Sequence, residues 1–137
     1  MSDSKSVPSA RFTQSAETFA AIDELIYQHL VDRDWLGNPP RGLVTSIALE
    51  AAELLEHYQW SDTPVGSQQD LADELADIFI YAFQFAQAEN IDIPAAIRRK
   101  LAVAAKKYPA SAFKNKSNTE KREAWLNAKL HHHKDGL

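Results

Sequence analysis

Two acid-bearing helical segments constrain this chain more than any other feature. They read Glu50-Ala51-Ala52-Glu53-Leu54-Leu55-Glu56 and Asp73-Glu74-Leu75-Ala76-Asp77-Ile78-Phe79-Ile80-Tyr81. Residues three apart lie on one helix face. Glu50 and Glu53 therefore point the same way, and so do Glu74 and Asp77. Two such helices packed antiparallel bring four carboxylates face to face. Four close acids conflict, because like charges raise one another's pKa. A divalent cation removes the conflict. Hard oxygen donors in a chain without cysteine suit Mg²⁺, Mn²⁺ or Ca²⁺ better than Zn²⁺. The competing reading is an ordinary solvated acidic face, the usual fate of Asp and Glu. Two pairs on consecutive helices, each set among Leu, Ile and Ala, favour the cation.

The rest of the chain narrows the function classes. Its 137 residues point to one domain, and 45% hydrophobic content supplies a core. The net charge of −4 gives no electrostatic case for a nucleic-acid polymer as partner. No apolar run approaches the roughly 20 residues needed to span a bilayer, so no membrane is expected. Residues Met1 to Ala10 are polar and lack an apolar signal core, which makes a cytoplasmic location the default expectation.

Periodicity predicts helices and no strands. Residues 1–13 read as a disordered lead. A first helix is expected from Ala16 to about Asp32, capped by Thr13 or Ser15. Its stripe is Phe19, Ile22, Ile26 and Leu30, widened by Leu25. Gly37-Asn38-Pro39-Pro40 breaks the chain. Trp35 at this break either covers the end of the core or stacks on a planar ligand. A second helix is expected from about Gly42 to Trp60. A third runs from about Gln68 to Glu89, behind a capping-box pattern at Ser67–Asp70. The interior of the third, Ile78 to Phe85, is apolar nearly all round apart from Gln84. That pattern predicts burial on several sides, in a bundle and a subunit interface. A fourth helix starts near Pro94 and runs to about Lys107, with Lys100, Lys106 and Lys107 in its last turns. A short charged helix is expected within Thr119 to Leu130. His131 to His133 are set aside from function. The fold class is all-α, most simply a four-helix bundle.

The pattern Glu50-x-x-Glu53 followed by Glu74-x-x-Asp77 resembles the MazG-like all-α nucleoside triphosphate pyrophosphatases, and within them the dCTP pyrophosphatase branch. Several segments carry the same resemblance in the same order. They are Arg33-Asp34-Trp35, Pro40-Arg41, His57-Tyr58-Gln59-Trp60, Ile78 to Tyr81, Asp92-Ile93-Pro94, and Lys100 through Tyr108-Pro109. On this basis residues 14–112 form a MazG-like helical domain and 113–137 a polar tail.

The resemblance implies hydrolysis of a (deoxy)nucleoside triphosphate, dCTP-like, to the monophosphate and pyrophosphate. The cofactor it implies is Mg²⁺, with Mn²⁺ as substitute. It assigns Glu50, Glu53, Glu74 and Asp77 as metal ligands, and Trp35, Trp60, Tyr81 and Lys100 as substrate-binding residues. It also implies a homodimer or homotetramer. Glu53, together with Glu56 three residues later on the same face, is the candidate catalytic carboxylate pair. His57 sits near the same acids, but a diiron site would need Glu-x-x-His pairs, which Glu53-x-x-Glu56 and Glu74-x-x-Asp77 do not supply. Ala102 and Ala104 stand where the branch carries Asp and Asn. They motivate the alternative of a helical oligomer that binds nucleotide or metal with little or no turnover.

Overall fold

The computed structural model describes residues 17–134, and it is helical throughout, with no strand among them. It divides into two units, residues 1–91 and 92–137. The first holds α1 (Phe19–Val31), α2 (Pro40–Glu56) and α3 (Gln68–Ala88). The second holds α4 (Ile93–Lys107), a 3-10 turn at Ala110–Ala112, and α5 (Asn118–Lys134). The all-α expectation is met. The disordered lead expected over residues 1–13 lies outside the described residues.

In the first unit, α2 and α3 form the main helix pair and α1 packs on α3. The buried apolar side chains are Leu30, Leu43, Phe83 and Ala86. Phe19 stacks on Phe83 with ring centroids 4.7 Å apart, a contact that ties the start of α1 to the far half of α3. The Gln87 side-chain amide donates to the Asp23 carbonyl and to its Oδ1, both at 3.0 Å. Leu25 does not widen the α1 stripe as expected. It is 61% exposed. The segment Ile78 to Phe85 is also less enclosed than its composition suggests, because Phe79 is 54% exposed and Ile80 is 37% exposed. Within one chain α3 buries one face only.

Three helix ends in the first unit differ from the sequence expectation. α1 begins at Phe19, where Thr18 accepts a hydrogen bond from the Ala21 N–H at 3.1 Å. Thr13 and Ser15 lie outside the described residues. α2 starts earlier than Gly42, with Pro40 in its first turn, where a missing N–H costs nothing. It stops at Glu56 instead of reaching Trp60. The Val65 N–H donates to the His57 carbonyl at 2.9 Å, so that carbonyl is not free for the next helical turn. The Tyr58 and Gln59 N–H groups close tighter bonds to Leu55 and Glu56, a common way for a helix to end. Trp60 is thereby carried off the helix into the following loop.

α3 begins as its sequence predicts. The Ser67 hydroxyl accepts from the Asp70 N–H at 3.2 Å, and the Asp70 carboxylate accepts from the Ser67 N–H at 2.6 Å. The Ser67 hydroxyl and N–H hold the Asp70 carboxyl below its ordinary value.

In the second unit Asp92 caps α4 by accepting from the Ala95 N–H at 2.9 Å. Tyr108 ends α4 and meets Phe113 edge-to-face at 6.0 Å. α5 starts at a second capping box, in which Ser117 and Glu120 exchange hydrogen bonds. It is longer than expected at both ends.

Candidate active site

α2 and α3 run past each other in opposite directions. Glu50 of α2 lies beside Glu74 and Asp77 of α3. Seven residues earlier on α2, Leu43 shares a cleft with Gln84, seven residues later on α3. One face of the helix pair therefore carries an acidic end and an apolar end, two helical turns apart, or ~10 Å at 1.5 Å per residue.

At the acidic end, one carboxylate oxygen from each of Glu50, Glu74 and Asp77 lies within 4.8 Å of the others. The cause is the i, i+3 pairing of Glu74 and Asp77 on α3, facing Glu50 across the helix interface. The Glu50 carboxyl is held above its ordinary value. Partial burial is the largest cause, followed by the charges of Glu53, Asp77 and Glu74. Glu53 stands outside the three-acid group and is exposed, yet its charge reaches Glu50. Glu56 is exposed as well, one turn beyond Glu53. The donor set of clustered, partly desolvated carboxylates suits a hard divalent cation, which would relieve the repulsion that raises Glu50.

Behind the acids stands His57, whose Nε2 is 3.5 Å from Glu74 Oε1. Its Nδ1 is buried without a hydrogen-bond partner among the described residues. Gly66 leaves room for the ring, since a Cβ at that position would collide with it. By its spacing from Glu53, His57 is a candidate metal ligand in the sequence. In the structure it packs against one of the acids instead.

The apolar end is a cleft of about 360 Å³ lined by Tyr27, Leu30, Trp35, Leu43 and Gln84 among others. Trp35 is 56% exposed, which speaks against a simple covering role. The loop that presents it folds through Asp34 and Gly37, both with positive φ, and the Trp35 N–H donates to the Leu30 carbonyl at 2.9 Å. Gly37 at φ +88 is a position that favours glycine. Trp60 lies in the loop after α2 and is 83% exposed. Tyr81 is half-buried on α3, one turn past Asp77. Lys100 is exposed on α4 in the second unit. Gln84 lines the apolar cleft too and is not among the site residues expected from the sequence. The available signal was a lone amide in an otherwise apolar helix interior.

The profile of the MazG-like family matches residues 45–122, which takes in both acid pairs. The chain is 32% identical over 117 residues to dCTP pyrophosphatase 1 of Homo sapiens, covering 78% of this chain and 69% of that protein. It is 33% identical over 101 residues to dCTP pyrophosphatase 1 of Mus musculus, covering 67% of this chain and 59% of that protein. The Bos taurus protein of the same name is 32% identical over 108 residues, covering 72% and 64%. The chain thus spans between 59% and 69% of the length of these relatives. With the family profile running through the acidic face of α2 and α3, and with these relatives aligned over most of its length, the chain belongs to the MazG-like family.

Proposed function

We propose that this chain is a nucleoside triphosphate pyrophosphatase that hydrolyses a (deoxy)nucleoside triphosphate, of the dCTP class, to the monophosphate and pyrophosphate. The observation that carries this reading is the convergence of Glu50, Glu74 and Asp77 across the α2–α3 interface of a MazG-like chain. Family membership and the dCTP pyrophosphatase relatives support the hydrolase class.

Glu50, Glu74 and Asp77, with Glu53 completing the set, are the residues that would hold Mg²⁺, or Mn²⁺ in its place. When bound, such a cation neutralises the phosphate oxygens that acids alone would repel, and it stabilises the charge that develops as the anhydride breaks. The remaining work falls to the chain. In the reaction, water adds to a phosphorus, the phosphoanhydride bond breaks, pyrophosphate leaves, and a carboxylate takes the proton from the water. Glu53 and Glu56 are exposed on the same side of α2, where a carboxylate can reach solvent and accept that proton. Trp35 and Trp60 present exposed indole faces for the base, and Tyr81 stands between the acids and the cleft along α3. Lys100 is assigned a phosphate by the family resemblance.

Trp60 offers a clean test of the aromatic part. Its indole is 83% exposed, so Trp60→Ala changes stability by less than ~0.5 kcal/mol, as for most surface substitutions. If the ring stacks on the base, the loss is ~1–3 kcal/mol of binding, read as a KM increase of roughly 5- to 150-fold with a smaller change in kcat. An unaltered KM removes Trp60 from the substrate site.

A homodimer or homotetramer belongs to this reading. Leu49, Leu75 and Phe79 on α2 and α3 are about half exposed in the single chain, more apolar helix surface than a monomer usually leaves in water. Sedimentation velocity should find a species of at least twice the 15.4 kDa chain mass. A monomer at every concentration would end this part of the reading.

A further inference from the structure

We propose that Gln84 reads the hydrogen-bonding edge of the substrate base, and so sets which bases this enzyme accepts. The inference rests on the pyrophosphatase reading above and deepens it.

Gln84 is the polar residue found buried in the described part of the chain, at 8% exposure. Buried polar groups are nearly always paired, with protein or with water. The next glutamine on α3 obeys this rule, since Gln87 spends its amide on Asp23. Gln84 makes no side-chain hydrogen bond among the described residues, and its amide atoms are not among the fully buried unpartnered ones, so its polar end stays open to the cleft while the rest of the residue is buried. Its side chain instead lines the cleft at the apolar end of the α2–α3 face. That cleft, about 360 Å³, is walled by Trp35, Tyr27, Leu30, Leu43 and Pro39. An apolar cleft of this size with an aromatic wall and a few convergent polar groups is the usual form of a small-molecule site; Asn38 and Gln87 line it too, but their amides already donate to the Trp35 carbonyl and to Asp23.

The spacing along α3 selects the ligand. Glu74, Asp77, Tyr81 and Gln84 follow one another at three- and four-residue steps, so they form one stripe. Gln84 lies two turns from Asp77, ~10 Å. An occupant must carry anionic groups for a cation at the acids and a planar, partly apolar group two turns away. A sugar and its phosphates bridge that span in a nucleotide. The amide presents one acceptor and two donors, which pair with adjacent polar atoms on the edge of a base, as glutamine does with adenine in nucleic-acid recognition. The indole of Trp35 supplies a stacking surface that tolerates any base. Discrimination therefore falls to the amide.

The test compares the best substrate of a nucleotide panel with the triphosphate of an apolar isostere of the same base, which has its shape but no edge donors or acceptors. The wild-type chain with Mg²⁺ should discriminate against the isostere by ~10-fold or more in kcat/KM, the factor that one neutral hydrogen bond supplies. Gln84→Met, similar in size and without the amide, should bring the ratio to within ~2-fold, mainly by lowering kcat/KM for the natural base. Gln84→Asn, with its amide one methylene short, should give an intermediate ratio. Calorimetry with nonhydrolysable forms of the two nucleotides should show the same pattern without turnover. The assignment is overturned if wild type does not discriminate, if Gln84→Met keeps the full ratio, or if it lowers both substrates equally. A second copy of the chain filling the cleft would appear as calorimetric traces that neither ligand perturbs, which also overturns it. If wild type hydrolyses nothing in the panel, the pyrophosphatase reading fails. Hydrolysis with a ratio indifferent to Gln84 defeats the present inference alone.

Discussion

Glu50→Gln should make the metal-free protein more stable at neutral pH, remove most of its stabilisation by Mg²⁺ and sharply lower its activity. The Glu50 carboxyl is raised by partial burial and by Glu53, Asp77 and Glu74. As pH climbs from the ordinary glutamate value through the raised one, the unfolded chain releases this proton first. The folded state then binds more protons than the unfolded state, so stability falls with rising pH across that window. At neutral pH the ionised cluster is a net liability without a cation. The amide removes the charge and keeps the shape, which flattens this slope and raises the melting temperature in chelator. A cation that binds only the folded wild-type protein raises its melting temperature in proportion to the logarithm of its concentration. The variant should lose most of that shift. Activity should fall at least ~10- to 100-fold, since even partners one layer behind a metal ligand cost that much. Thermal melts with and without Mg²⁺ check the sign. A variant less stable than wild type in chelator, or one that keeps the full Mg²⁺ shift, would contradict the placement of Glu50.

Gly66→Ala should destabilise the protein, although glycine-to-alanine changes at ordinary backbone conformations usually stabilise it by ~0.4–1 kcal/mol through the unfolded state. The added methyl collides with the His57 ring and comes within 3.1 Å of the Asp70 Cβ. Forcing a carbon into a packed contact costs ~1–3 kcal/mol, which outweighs the entropic gain. The imidazole cannot retreat freely, because its other edge stands 3.5 Å from the Glu74 carboxylate. The collision therefore reaches the acid cluster, and Mg²⁺ affinity should weaken with stability. Removing the ring isolates the cause. In a His57→Ala background, Gly66→Ala should become neutral or stabilising, a sign reversal that denaturant melts of the four proteins measure as a coupling energy. If Gly66→Ala costs the same in both backgrounds, the His57 contact is not its cause.

The helices were readable because their signals are local. Apolar periodicity, Pro40 and Pro94 near helix starts, and the Ser67–Asp70 box each act within one turn. The end of α2 was not readable, because a hydrogen bond from Val65, eight residues beyond the His57 carbonyl, decides it. Leu25 fits the α1 stripe by spacing but is left outside the core by the way α1 packs on α3.

The acid pairs show the same division. Spacing alone puts Glu74 and Asp77 on one face. Three residues advance a helix by 300° at 3.6 residues per turn, so paired side chains stay ~60° apart. Glu50 joins the α3 pair closely, and Glu53 stands at the margin. The relation of His57 to Glu74, and of Gln84 to Trp35, depends on side chains brought together from distant parts of the chain. Such contacts leave no periodic trace. Gln84 left only the anomaly of an amide among apolar neighbours.

The central claim is that the acidic face of α2 and α3 hydrolyses nucleoside triphosphates. Pyrophosphate release from a panel of canonical and modified NTPs and dNTPs with Mg²⁺, run beside Glu53→Gln and Glu50→Gln, tests it directly. The account predicts pyrophosphate and monophosphate in equal amounts from at least one deoxynucleotide of the dCTP class, with loss of release in both variants. Folded wild-type protein that releases no pyrophosphate from any member of the panel would contradict it and leave the nucleotide-binding oligomer, with Ala104→Asn as the first substitution to restore turnover.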